Sequence, residues 1–386
     1  MKKKPLILFM SLCFLFHHTA SLSSVKKTIY IGALYSQNGA FSQLGIPALK
    51  GAQLAIDDIN TQGGISGHPV KLKVFNTQSS ASVTAKLSQA LSDMSNIDII
   101  TGLVDDNLLQ AAMPSVVKNH KLFITAGATS GELAKQYANN LILACYTDAM
   151  QGKAAAKFTV NTLHAKKVLV IENTQMQYAI NASDAFINEL QGLTGQIVAK
   201  ISFSPDTLDM EKLIAQLLPV KKQVEAIYFA SGVPKTLDII HQLRQNGFDE
   251  PIIGADGFDS DLLVKSTPSL RDVFFTTHAF LSLNGTPPST QTFIKHYQNK
   301  YDTRPKNAFT ALGYDATILA AEFLMHSKKV RSKEAKQQLI QLLYFLPPYT
   351  GASSEISFHG RNIPNKNIYM IQINKNKRQL ASVLSI

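Results

Sequence analysis

The chain contains very little cysteine: Cys13 and Cys145 are the two cysteines among its 386 residues. Cys13 lies in an apolar N-terminal segment, and Leu12 before it is not the small residue that a lipid-attachment signal requires. We therefore expect no lipid anchor. If the N-terminal segment is removed, Cys145 remains alone, which excludes an internal disulfide bond. We expect Cys145 to be a buried thiol that packs as a small apolar side chain.

The sequence also lacks the motifs that mark common enzyme and cofactor sites. It contains no GxSxG elbow, HExxH pair, CxxC pair or GxxxxGK[ST] loop, and no GxGxxG follows the first predicted strand. The ten histidines show no metal-ligand spacing. Asp57 and Asp58 are adjacent acids at a helix end, which favours a solvated face over an acid/base pair. We expect a protein that is not an enzyme and that uses no metal or organic cofactor.

Charged residues are few, at 17% of the chain, and the formal net charge is +11. The excess positive charge is dispersed over short clusters, such as Lys166/Lys167 and Lys221/Lys222, without interleaved aromatic residues. This dispersion favours a solvated basic surface over a polyanion site, and we expect no nucleic-acid partner. The length and the 45% hydrophobic content are enough for roughly two globular domains.

Residues 1–24 form a segment of their own. Lys2–Lys4 give a positive start, Leu6–Phe16 an apolar core and Thr19–Ser24 a stretch of small residues. This pattern is typical of a secretory signal peptide and is too short for a membrane-spanning helix. The alternative is a buried N-terminal helix. We predict export, with cleavage after Ala20 or near the end of this segment.

Strand-like apolar runs alternate with helical patterns along most of the chain. Two of the helical patterns lie at 81–94 and 236–246. The runs are Ile29–Leu34, Val70–Phe75, Ile97–Leu103, Leu122–Thr125, Leu141–Cys145, Val168–Ile171, Ile197–Phe203, Ala226–Ala230 and Ile252–Gly254. Strands that alternate with helices of about 10–15 residues indicate βαβ units and parallel sheets. The sequence therefore predicts an α/β fold.

The pattern changes in the last third of the chain. Helices are predicted to dominate residues 289–345, and short strands follow at Glu355–Phe358, Asn367–Ile373 and Gln379–Leu384. A late return to strand after a helical block indicates a chain that crosses between two lobes more than once.

Small polar residues follow several of the predicted strands. In parallel α/β sheets, ligands are held in loops outside the carboxyl ends of the strands. The shared position of these residues therefore predicts a binding crevice. They are Ser42, Asp105, Asp106, Gly127, Ala128, Thr129, Tyr178 and Asp256.

Several segments, in this order, resemble one known family. They are GAQLAIDDINTQGGISG (51–67), ITAGATSGEL (124–133), TDAMQG (147–152), GADGF (254–258), ALGYDAT (311–317) and GASSEISFHG (351–360). Together they are similar to the type I periplasmic binding proteins of the leucine/isoleucine/valine-binding group, the solute receptors of ABC importers. Each match alone is weak, but their order covers residues 28–375.

The resemblance implies two Rossmann-like lobes with parallel sheets, joined by a three-segment hinge that closes around a solute. The crossovers are expected near 146–150, 275–279 and 346–352. After the signal peptide at 1–24, lobe one is expected to hold 25–147 plus 278–348, and lobe two 149–276 plus 352–386.

The resemblance also implies roles for the polar residues. Gly127 and Thr129 match a loop whose backbone N–H groups and hydroxyls hold the carboxylate of an amino-acid ligand, an arrangement that suits an anion. Asp256 matches the acid that neutralises the ligand ammonium, and Tyr178 matches a tyrosine that lines the cleft from lobe two. Ser42 is the predicted contact in the first loop.

The chain departs from the family at two positions. A ligand-binding serine is replaced by Asp106, or by Asp105 if the register slips by one, and a second aromatic of lobe two is replaced near Ser231-Gly232. An ionised aspartate about 4 Å from a ligand carboxylate would cost about 4 kcal/mol. The alternative is that Asp106 caps the helix that begins near Leu108 and points away from the solute. Both interpretations stay open.

The expected function is that of a monomeric periplasmic receptor that passes a small-molecule ligand to the membrane permease of an ABC importer. The ligand is expected to be an amino acid or a related amide, amine or carboxylate. The alternative is a ligand-sensing periplasmic module that signals to a membrane partner without transport, because one fold serves both uses.

Overall fold

The computed structural model describes residues 27–232, 235–265, 270–326, 343, 348–374 and 377–384. The predicted signal peptide, residues 1–24, lies outside these residues. The last part of the predicted helical block, residues 327–342, lies outside them as well.

The first sheet is entirely parallel. Its strands are β1 (Ile29–Tyr35), β2 (Val70–Asn76), β3 (Ile97–Gly102), β4 (Leu122–Thr125) and β5 (Leu141–Leu143). They lie in the order β2-β1-β3-β4-β5. All five are buried apolar runs, except for the more exposed edge strand β2, as expected for a sheet covered by helices on both faces.

The second sheet is mixed. Its parallel strands are β6 (Lys167–Asn173), β7 (Gln196–Phe203), β8 (Ala226–Ala230), β9 (Ile252–Gly254) and β10 (Val273–Thr277). A short antiparallel pair follows in the chain, β11 (Tyr349–Thr350) and β12 (Glu355–Ile356), and it forms a small sheet of its own. The chain then adds β13 (Ile368–Asn374) and β14 (Lys377–Leu384) antiparallel to their neighbours, giving the order β14-β13-β10-β9-β8-β6-β7.

Helices connect most of these strands. They are α1 (Ser42–Thr61), α2 (Ala81–Asp93), α3 (Asp106–Lys118), α4 (Gly131–Gln136), α5 (Asp148–Asn161), α6 (Gln177–Gly192), α7 (Met210–Leu217), α8 (Lys235–Gln245), α9 (Asp261–Lys265), α10 (Pro288–Tyr301) and α11 (Ala308–His326). Five of them start at a Ser, Thr or Asp whose side chain accepts a backbone N–H of the first turn. These caps are Ser80, Asp105, Ser130, Thr147 and Asp209.

The α/β prediction with two lobes is confirmed. No predicted strand differs from the observed one by more than two residues at either end, and α2 and α8 match their predicted ranges within one. The sequence analysis missed β10. Its three apolar residues, Val273–Phe275, precede two threonines at the predicted crossover, so the pattern resembled a linker.

Helices α1 and α11 pack on each other and hold the first lobe together. Their backbones approach closely at Gly51 and Gly313, where an added Cβ would overlap a carbonyl oxygen of the other helix. Helix α11 is long and apolar enough to cross a membrane by length and composition, but 72% of it is buried inside the protein. It is therefore part of the core in this structure.

The segment before β13 packs on the first lobe. Ile356 and Phe358 belong to the first lobe's core, and the carbonyl of Asn362 accepts the N–H of Leu143 at 2.9 Å. The predicted division assigned residues from 352 onward to lobe two. We propose instead that the third crossover lies between Asn362 and Ile368, where β13 begins.

Candidate ligand-binding site

Residues from the carboxyl ends of strands in both lobes line one small cavity of about 30 Å³. The lining comes from the loops after β3 and β4 on one side and from α6 and the turn after β9 on the other. Its residues are Leu44, Val104, Asp105, Asp106, Gly127, Tyr178, Asp256, Gly257 and Phe309. The structure thus brings together five of the eight residues selected from the sequence: Asp105, Asp106, Gly127, Tyr178 and Asp256.

Asp105 caps helix α3. Its Oδ1 accepts the N–H of Leu108 at 3.0 Å, and its backbone has the extended conformation of a cap residue. Burial raises the pKa of Asp105 to about 6. The capping role that the sequence analysis considered for Asp106 therefore belongs to its neighbour.

Asp106 is the first residue of α3, and its carboxylate is directed to the loop after β4. Its Oδ1 accepts the backbone N–H groups of Thr129 at 2.9 Å and Ser130 at 3.0 Å. Its Oδ2 is buried and has no hydrogen-bond partner among the described residues. Burial, then the charges of Asp148 and Asp105, hold the pKa of Asp106 well above its ordinary value.

The loop after β4 directs its other donors to groups of the protein. The N–H of Gly127 lies 3.3 Å from Thr125 Oγ1. The hydroxyl of Thr129 donates to Asp148 Oδ1 at 2.6 Å. Thr129 therefore bonds to the carboxylates of Asp106 and Asp148, and it does not itself line the cavity.

Asp256 faces the cavity from the second lobe and is held by two side chains. Its Oδ1 accepts Nε2 of Gln151 at 3.1 Å, and its Oδ2 lies 3.0 Å from Nε2 of His278. Gln151 also accepts the N–H of Asp256 at 3.1 Å and the hydroxyl of Thr276 at 2.9 Å. This network fixes the carboxylate between α5, the turn after β9 and the end of β10.

His278 is completely buried and stacks on Tyr146, with ring centroids 3.8 Å apart. Burial lowers the pKa of His278. A neutral ring that donates from Nε2 fits both the burial and the contact with Asp256.

Tyr178 lies beside Ser231, close to the position where the family resemblance implies a second aromatic residue. Its hydroxyl donates to the carbonyl of Ser231 at 2.6 Å. A Cβ at Gly257 would overlap this hydroxyl, so the glycine leaves room for the tyrosine.

Ser42 lies apart from the cavity. Its hydroxyl donates to the carbonyl of Gly39 at 2.8 Å. It lines a separate groove of about 330 Å³, between the start of α1 and the segment Ser260–Lys265 of the second lobe. The structure therefore does not bring Ser42 together with Asp106 and Asp256.

The cavity is acidic although the chain as a whole is basic. Three aspartates line it, Asp148 lies behind them, and no lysine or arginine is among its described lining residues. Burial raises the pKa of Asp148 to about 7. The buried Lys366 donates instead to the carbonyl of Ala144 at 2.9 Å and to Ser353 at 2.6 Å.

Three residues that bond to or lie behind the cavity carboxylates were not selected from the sequence. Asp148 and Gln151 lie within the TDAMQG segment that carried the family resemblance, and His278 lies within the predicted crossover at 275–279. Their positions in or beside the predicted crossovers could have identified these residues, but the candidate residues were chosen at the ends of strands. Among the residues that the structure describes, no group of three or more His, Cys, Asp or Glu is arranged to hold a metal ion.

The sequence profile of the family described as periplasmic binding protein matches residues 28–378. The chain belongs to this family. Its structural neighbours and relatives place it with the type I periplasmic binding proteins of the leucine/isoleucine/valine-binding group.

Curated relatives of this periplasmic binding protein share about a quarter of its residues. The Leu/Ile/Val-binding protein BraC3 of Rhizobium johnstonii is 26% identical over 234 residues, which cover 60% of this chain and 62% of that protein. The leucine-specific-binding protein of Salmonella typhimurium is 24% identical over 258 residues, 67% of this chain and 68% of that protein. The match to the first relative thus spans less than two thirds of its length.

Solved structures match more of the chain. The branched-chain amino acid transporter substrate binding protein LivJ of Streptococcus pneumoniae, in complex with isoleucine, has a TM-score of 0.82 at 25% identity and covers 93% of this chain and 99% of its own. The leucine binding protein LivK of Thermotoga maritima has a TM-score of 0.82 at 23% identity, with 92% and 99% coverage. The LivK match supports the fold alone.

Proposed function

We propose that this periplasmic binding protein is the solute receptor of an ABC importer and holds a small polar ligand in the cavity between its lobes. It is exported by residues 1–24 to the periplasm, acts as a monomer and passes its ligand to a membrane permease. The ligand is an amino acid or a related amide, amine or carboxylate. Binding is reversible, involves no nucleic acid, and is not followed by turnover.

The observation that carries this proposal is the convergence of buried polar groups from both lobes on one small cavity. Asp106 and Gly127 come from the first lobe, and Tyr178 and Asp256 from the second. Buried polar groups of this kind require partners, and a solute that bridges the two lobes supplies them when the hinge closes. The named ligands of LivJ and LivK show that this fold accommodates branched-chain amino acids in those proteins.

A thermal-shift screen tests the proposal directly. The panel contains amino acids, amides, amines and small carboxylates. A ligand present at about 100 times its dissociation constant stabilises the folded form by about 2.7 kcal/mol, which appears as a raised melting temperature. The control is the exposed helix cap Asp209→Ser, which does not line the cavity and retains a capping residue.

Two outcomes decide the proposal. A compound that raises the melting temperature of both the unmodified protein and the control, and that comes out of a calorimetric titration unchanged, supports reversible binding. If no member of the panel shifts the melting temperature, the receptor function is rejected.

A further inference from the structure

The anion-binding part of the cleft is already filled by the protein itself. The resemblance assigns the N–H groups and hydroxyl of the loop around Gly127 and Thr129 to a ligand carboxylate. Here the N–H groups of Thr129 and Ser130 both donate to Asp106 Oδ1, at 2.9 and 3.0 Å. The Thr129 hydroxyl donates to a second aspartate, Asp148, at 2.6 Å. A ligand carboxylate would find these donors taken.

The remaining polar surface of the cavity offers negative charge. Asp106 is only 5% exposed, lines the cavity, and its Oδ2 has no partner among the described residues. Asp256, 4% exposed, lines it from the other lobe. An unpartnered buried carboxylate oxygen calls for a donor, and a positively charged donor gives the strongest hydrogen bond.

We infer that the cleft recognises a small organic cation that carries no carboxylate, because Asp106 holds the carboxylate position with its own side chain. This inference rests on the proposed function and names its ligand class. An ammonium or amidinium group between Asp106 and Asp256 satisfies the free oxygen and relieves the repulsion among the aspartates. The cavity of about 30 Å³ favours a ligand of a few heavy atoms in this arrangement of the lobes.

A protonated Asp106 defines the competing case. Its Oδ2 would then donate, and it would accept a ligand carboxylate. The two N–H groups on Oδ1 stabilise the ionised form, whereas burial and the charges of Asp148 and Asp105 hold the pKa of Asp106 well above its ordinary value. A cation beside Oδ2 favours the ionised form and lowers that pKa, so binding of an amine should release a proton and strengthen as the pH rises. The competing case predicts amino-acid binding that strengthens as the pH falls, which would overturn the inference.

Matched pairs of compounds test the charge requirement on the full chain. Isobutylamine is compared with valine, and ethylamine with alanine, because each pair differs only in the carboxylate. Calorimetric titration should show binding of the amines, with each amino acid at least about tenfold weaker. An amino acid that binds as tightly as its amine contradicts the inference. Binding of acetamide alone would also contradict it while leaving the receptor function intact.

Two variants of Asp106 locate the effect. Asp106→Ser removes the carboxylate and frees the N–H groups of Thr129 and Ser130, so valine should gain about tenfold and isobutylamine should lose about tenfold. Asp106→Asn removes the charge but keeps an oxygen for the N–H groups, so isobutylamine should weaken with no gain for valine. Asp209→Ser, a helix position with the same change of residue on the exposed surface, should alter neither affinity.

The pattern across the variants separates charge from folding. Circular dichroism and thermal melting establish that each variant is folded, and Asp106→Asn serves if the serine variant is not. An unchanged ratio of valine to isobutylamine affinity in both variants would overturn the inference.

Discussion

The two walls of the cavity present the same chemical group but hold it in different ways. On the first lobe, Asp106 takes two backbone N–H groups on one oxygen and leaves the other without a partner. On the second lobe, both oxygens of Asp256 contact side chains, Gln151 and His278. One wall therefore offers an oxygen to a ligand, whereas the other offers a charge fixed by a network that reaches the hinge.

The proposed ligand class follows from this difference between the walls. The backbone donors of Thr129 and Ser130 lie in the loop after β4, where both bind Asp106 Oδ1. A single carboxylate at the start of α3 converts them from a ligand site into a support for a protein side chain. The second lobe keeps its acid, so the cavity becomes negative on both sides.

The largest effect is expected from removing the Asp256 carboxylate, which lines the cavity from the second lobe. Asp256→Ala removes a fixed charge and should weaken isobutylamine, or valine if that binds instead, by about a thousandfold, since truncating one partner of a buried charge pair costs about 4 kcal/mol. Calorimetry measures the loss. Asp238→Ala is the control, because Asp238 is an exposed acid of the same lobe that pairs with Lys235 at 3.8 Å and does not line the cavity. Unchanged affinity in Asp256→Ala would reject its role.

A pH series tests Asp148, the acid that lies behind the aspartates of the cavity. The pKa of Asp148 is raised from 3.8 to about 7 in the folded protein, so the folded state binds its proton more tightly than the unfolded chain does. Stability from this group is present below the unfolded value and is lost as the pH rises through about 7. The shift is about 3 pH units, so at about 1.4 kcal/mol per unit the loss over the whole range is on the order of 4 kcal/mol.

Asp148→Asn should remove this part of the pH dependence. Urea unfolding without ligand, at about pH 5 and about pH 8, compares the variant with the unmodified protein. The variant should be relatively more stable at the higher pH, whereas the exposed Asp209→Asn should show equal differences at both. A variant that is relatively more stable at the lower pH would contradict the raised pKa.

Paired glycine substitutions compare the packing of the walls and should have the smallest effects. In Gly257→Ala, the new Cβ meets the Tyr178 hydroxyl and lies 2.6 Å from the backbone oxygen of Ser231, which cannot easily move. In Gly127→Ala, it meets the Phe309 ring at 2.8 Å and Val104 at 3.4 Å, both of them side chains. We expect losses of about 2 and about 1 kcal/mol in the free energy of unfolding. The reverse order would show that the first wall is the more tightly packed.

Much of this molecule could be predicted from the sequence because its strands are buried apolar runs with clear ends. Strand β10 was missed since only Val273–Phe275 are apolar and the next residues belong to the hinge. A short run of apolar residues indicates burial, but it cannot distinguish a short strand from a crossover segment.

The site was predictable where it follows the strand ends. Asp106, Gly127, Tyr178 and Asp256 were found in this way. The roles of the adjacent acids Asp105 and Asp106 could not be separated, because which of them caps α3 depends on the dihedral angles at the helix start.

The residues that contact Asp256 could not be predicted from the sequence, for a different reason. Gln151 and His278 lie 105 and 22 residues from Asp256 along the chain, on a helix and in the hinge. Only the folded arrangement of the two lobes brings these groups to the same carboxylate.

Helix α11 has a consequence for a chain that is exported as proposed. During export the unfolded chain passes beside a lipid bilayer, where an apolar segment of this length can be diverted into the membrane. Asp315, near the middle of α11, opposes this with about 2.5–3.5 kcal/mol. After folding, the same carboxylate accepts the N–H groups of Ala352 at 2.6 Å and Ser353 at 3.0 Å. One buried charge thus protects the helix during its passage and later anchors the segment that leads to the third crossover.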